Sequence, residues 1–149
     1  MAHVRTQIRD AIKEILTDQL PAGEYVVFAS RKYARNHDSG KALVDIRFLN
    51  VNVTQETMGD DRTHAASLYV RVQRSDAEET LDDALDQDEV LITAVIEQYD
   101  WSDLLEADPE LVQVNFTQDA DSGSALGASI LRYDVEYRID KTNPEIVRE

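Results

Sequence analysis

The sequence predicts an α+β domain. It is read as a two-layer sandwich, with a mostly antiparallel sheet of about five strands, two helices on one face, and the order α-β-β-β-α-β-β. Three observations carry this. Two segments repeat apolar residues at helical spacing. Several others alternate apolar and polar residues, as a strand with one buried face does. The two helical stripes together can cover one sheet face, which leaves neither layer bare. At 149 residues and 42% hydrophobic, the chain has the length of one domain and enough apolar material for a core. The domain is read over 1–140, with 141–149 as a loose polar tail that contains Pro144.

The first helix carries Val4, Ile8, Ala11, Ile12, Ile15 and Leu16 on one face and Arg5, Arg9, Asp10, Lys13 and Glu14 on the other; Pro21 and Gly23 end it. Tyr25 to Ala29 is a short run of strand formers. Residues 30–41 are a polar loop with Arg31, Lys32, Arg35 and Lys41. In the strand over 43–57, Val44, Ile46 and Phe48 share one face, then Leu49, Val51 and Val53 carry the apolar side; this phase flip predicts a β-bulge or a sharp twist. Residues 58–63 form a turn, and Ala66, Leu68, Val70 and Val72 alternate along the return strand, giving a hairpin long enough to project from the domain. Ser75, Asp76, Ala77 and Glu78 match a capping box opening the second helix. Its stripe is Leu81, Ala84, Leu85, Ile92, Val95, Ile96 and Tyr99; Asp88 falls on that stripe and predicts a break near 86–89. Residues 101–109 connect, with a helical turn at 102–106. Leu111, Val112, Val114 and Phe116 mark a strand, 118–127 a tip, and Leu131, Tyr133, Val135, Tyr137 and Ile139 the closing strand.

Charge is the most unusual global feature: 15 bases against 30 acids give −15. Between Arg74 and Arg132 there is no Lys or Arg, while residues 75–131 hold 16 of the acids. A surface of this sign does not neutralise phosphates and repels duplex DNA at close range. No apolar stretch is long enough for a transmembrane helix. The absence of cysteine excludes disulfides and thiolate chemistry, and fits a reducing compartment. His3, His37 and His64 show no metal-ligand spacing and are read as surface residues. No nucleophile elbow, P-loop or dinucleotide fingerprint occurs. Asp119 and Asp121 before Gly123 begin like a calcium loop, but Ile130 stands where its closing Glu belongs. Tyr99 and Trp101 are read as core-edge or interface aromatics. These features predict no enzyme, cofactor or metal site.

Several phrases resemble the tail terminator (tail completion) proteins of long-tailed bacteriophages and related gene transfer agents. They are HVRTQIRDAIKEIL at 3–16, YVVFASRKY at 25–33, the hairpin of LVDIRFLNVNV at 43–53 and SLYVRVQR at 67–74, the Leu- and Asp-rich helix, and RYDVEYRI at 132–139. The resemblance spans nearly the whole chain and rests on apolar patterning. The chain departs from the family in the Asn and Thr content of its long strands and in its very acidic second helix. The resemblance implies a virion structural protein made in the host cytoplasm. It would form a ring, commonly of six copies, on the head-proximal end of the tail tube, ending tube growth. Its partners would be itself, the tube protein and a neck protein, with DNA passing through the bore and no membrane involved. A head–tail connector, or an acidic adaptor that mimics DNA, is the alternative. A ring is a head-to-tail assembly, so each copy needs two different complementary faces. The candidates are the basic loop (Arg31, Lys32, Arg35) and the acidic helix (Glu78, Glu79, Asp82, Asp83, Asp86).

Overall fold

The computed structural model describes residues 3–21, 23–28, 42–54, 61–76, 80–121, 124–140 and 143–147. Its elements are α1 (Val4–Gln19), β1 (Tyr25–Phe28), β2 (Ala42–Thr54), β3 (Asp61–Asp76), α2 (Leu81–Gln98), β4 (Glu110–Asp121), β5 (Ser124–Asp140) and β6 (Asn143–Val147). The sheet runs β1-β2-β3-β5-β4, with β6 paired to β5 off this path. Among the described residues only β1 and β2 pair in parallel; the other pairs are antiparallel. The fold is therefore the expected α+β sandwich, with five strands on the main path.

Both helices cover one face. Val4, Ile8, Ile12 and Leu16 of α1 and Ile92 and Ile96 of α2 share one core with Val44, Ile46, Leu68, Val70, Leu131 and Tyr133 of the sheet. Each such side chain contributes about 1.5–3 kcal/mol on burial. His3 caps α1: its Nδ1 accepts the Arg5 backbone N–H at 3.0 Å. The expected bulge lies between Phe48 and Asn50. It turns Val51 toward the core, leaving Leu49 exposed.

β3 and β5 organise the sheet. They pair from Asp61↔Asp140 to Asp76↔Ala125, so β5 flanks the far end of the hairpin. On its other side, β5 holds β4 along 124–134 and β6 at Ile139 and Asp140. The Glu106 N–H donates to the Glu136 carbonyl between them at 2.9 Å, which continues the pairing across the gap.

Five local expectations are corrected. Asp61 to Thr63 belong to β3 rather than a turn. Ser75 and Asp76 also lie in β3, so they open no capping box; Thr80 precedes α2 without a side-chain cap bond. The tip expected over 118–127 shrinks, because β4 continues to Asp121 and β5 begins at Ser124. Polar residues there suggest a loop, but backbone pairing is indifferent to them. Gly127 stands in β5 because α2 presses on it: an added Cβ would lie 2.8 Å from Leu81 Cδ2. The tail is not loose over 143–147, since it returns as β6; Pro144 is tolerated in a short outer strand.

The fifth correction concerns His64, which is buried on the helix side of β3. Its Nδ1 lies 3.2 Å from the Tyr137 hydroxyl and the two rings are tilted at 5.1 Å. Burial, then the charges of Arg5, His3 and Arg62, hold its pKa below the usual imidazole value. The folded chain therefore binds fewer protons than the unfolded chain just below pH 6.5, and stability falls as the pH drops through that window. His3 acts in the same direction through burial, Arg5 and Arg9. Tm is expected to fall between pH 7.5 and 5.5, and by less in His64→Phe. Equal slopes for the two proteins would show that His64 does not drive the loss.

Candidate assembly surfaces

The acidic face depends on a residue that breaks the helical pattern. α2 is continuous through Asp88, whose side chain is only 1% exposed. Arg74 of β3 meets it with two bonds, Nε to Oδ2 at 2.8 Å and Nη2 to Oδ1 at 2.7 Å, and the Tyr25 hydroxyl donates to Oδ1. Burial and the Asp88 carboxylate push the Tyr25 phenol far above its usual pKa, so it remains a donor. A paired charge is tolerated inside where a lone one is not. The cluster ties α2 to β1 and β3 and fixes the rotation of the helix. Asp82, Asp83 and Asp86 consequently face solvent. Val90 lies near them in the helical projection and is 64% exposed.

The opposite face of the sheet carries a surface that no single segment reveals. On β2, β3 and β5 the residues between the core positions point away from the helices. Register sets Arg47, Tyr69 and Arg132 in one row, with Arg71 in the next between Asp45 and Ile130. Strands lie about 4.8 Å apart, so Arg47 and Arg132 flank Tyr69 across roughly 10 Å. Arg47 Nε sits 2.9 Å from Asp45 Oδ2, Arg71 Nη2 donates to Gln73 Oε1 at 3.2 Å, and Arg132 Nη2 donates to Ser67 Oγ at 3.0 Å. The Arg132 Nε is buried without a hydrogen-bond partner among the described residues. Asp45 is 3% exposed, and burial raises its pKa. Sequence reading missed this patch because its arginines come from three segments and alternate as ordinary outward residues. Aligning the strands on their apolar faces would have found it.

The expected pairing of basic loop and acidic helix is only half visible. Arg31, Lys32, Arg35, Glu78 and Glu79 lie outside the described residues, as does His37. Asp82, Asp83 and Asp86 are brought together on α2. Among the described residues no group of three or more His, Cys, Asp or Glu could hold a metal, and no helix is long and apolar enough to cross a membrane. A polar groove of about 420 Å³ runs past Asn50, Ser67, Asp108, Arg132 and Asp134. In it the Ser67 hydroxyl donates to Asp134 Oδ1 at 3.0 Å and accepts from Arg132, so its partners among the described residues are a carboxylate and a cation. Trp101 is buried and Tyr99, edge-on at 4.6 Å, is exposed, so the two aromatics divide between core and surface.

No protein-family model and no curated protein matches the chain. Of the solved structures that match, one superposes with a TM-score of 0.43 at 11% identity, over 89% of this chain and 92% of its own.

Proposed function

We propose that this chain is a structural ring subunit of the phage tail-terminator type. Copies joined head to tail, commonly six, cap the head-proximal end of a tail tube, stop its growth and present a surface to the neck, while DNA passes through the bore. The observation that carries this reading is the placement of unlike charged groups on opposite sides of one domain: Asp82, Asp83 and Asp86 on α2, and beyond the sheet Arg47, Arg71 and Arg132, which outnumber Asp45 and Asp134 beside them. A head-to-tail ring requires two unlike, complementary faces on each copy. The acidic stretch also suits a bore through which DNA slides without adhering.

Electrostatics give the test a definite shape. Subunits of net charge −15 repel at low salt, and screening over roughly 8 Å at physiological ionic strength removes most of that repulsion. The ring is therefore expected to be more populated in moderate NaCl or Mg²⁺ than at very low salt, as read by sedimentation. Equal populations in both would contradict this. Negative-stain images of six-fold rings, and arrested growth of tail tubes supplied with the protein, support the terminator. Rings that leave tube growth unchanged point to a connector. A monomer or dimer that binds a basic protein would fit the DNA-mimic alternative instead.

A further inference from the structure

We infer that the contact between neighbouring copies is the outer face of α2 laid onto the arginine-bearing face of the next copy's sheet. This deepens the ring reading above and rests on it. The three arginines, with Asp45 and Asp134 among them, leave this part of the sheet opposite in sign to α2, and the pattern matches too. On α2, exposed Val90 lies beside Asp83 and Asp86. On the sheet, half-buried Tyr69 and Ile130 lie among Arg47, Arg71 and Arg132. Each surface thus has an apolar centre with charge around it. Interfaces concentrate their binding at such places, with Tyr and Arg prominent among the anchors.

The architecture allows the contact. Among the described residues helices cover one face of the sheet only, and a helix from the next copy would cover Tyr69 and its neighbours on the second face as its own helices cover the first. The two surfaces lie on opposite sides of the domain, so a copy cannot satisfy both by folding on itself. Range also discriminates. Ion pairs at about 4 Å lie well inside the roughly 8 Å screening length, so moderate salt weakens the long-range repulsion between subunits more than it weakens the contact. Near 1 M salt the screening length falls to about 3 Å and the contact weakens too. Self-association should therefore pass through a maximum as salt rises.

The experiment uses the full chain in two charge-reversed forms, Arg71→Glu and Asp83→Arg/Asp86→Arg, with Arg71→Lys as the conservative control. Far-UV circular dichroism and melting establish that each is folded. Sedimentation velocity at moderate salt then reads assembly. Each reversed protein alone is expected to self-associate at least 10-fold more weakly than the unaltered chain, with Arg71→Lys close to it. An equimolar mixture of the two reversed proteins is expected to regain large oligomers, since position 71 then meets positions 83 and 86 of opposite charge where unlike copies adjoin. Oligomers unchanged by either reversal, or a mixture that stays dissociated, would overturn this contact while leaving the ring reading intact. An unaltered chain that stays monomeric at every salt concentration, with and without tail tubes, would overturn both.

Discussion

Replacing Asp88 with Ala is expected to lower stability by about 3–5 kcal/mol, the cost of stranding one partner of a buried ion pair. For a chain of this length that is a fall in Tm of roughly 10 °C. The loss comes from what is left behind more than from the missing attraction. Arg74 keeps its charge with only 21% of its side chain exposed, and the Tyr25 hydroxyl loses its acceptor. Urea unfolding followed through Trp101, the single tryptophan, measures it. Adding Arg74→Met removes the stranded charge and should recover part of the loss. A double variant whose cost equals the sum of the singles would show that the two residues act independently, and the pair would not be what holds α2 to the sheet.

The same cluster shows where sequence reading ran out. Periodicity identified α1, the inward faces of β2, β3 and β5, and the bulge after Phe48, because burial imposes those patterns directly. Asp88 suggested a broken helix because its partners, Arg74 and Tyr25, come from other segments. The capping box failed for a related reason: β5 remains available to pair with β3 as far as Asp76, and a continued ladder prevailed over a local cap. Residues 118–127 have loop composition, but the backbone pairs as far as Asp121 on one side and from Ser124 on the other. The arginine face depends entirely on register between three strands. Single-segment reading therefore recovered Asp82, Asp83 and Asp86 of α2 and none of the surface proposed to meet them.

Trp101→Ala is expected to cost about 4–5 kcal/mol. Truncating a buried aromatic costs about 3–5 kcal/mol through lost transfer energy and the cavity left behind. Trp101 is 1% exposed and packs into the main core. Its Nε1 also donates to the Ile96 carbonyl at 2.8 Å, which satisfies one of the acceptors that the last turn of a helix leaves open. Trp101→Phe keeps most of the apolar volume and loses only that bond, so about 1–2 kcal/mol is expected. Both changes act at one end of α2, beside the Trp101 backbone carbonyl, which either variant keeps and which accepts the Leu104 and Leu105 N–H groups that start the connector toward β4. Hydrogen exchange should locate the damage. In Trp101→Ala the amides of residues 92–98 are expected to exchange faster by a larger factor than those of 81–88, which Asp88 still ties to Arg74 and Tyr25. Uniform acceleration along α2 would mean that the helix is released as a unit, and that the Asp88 cluster does not anchor the turns carrying Asp83 and Asp86.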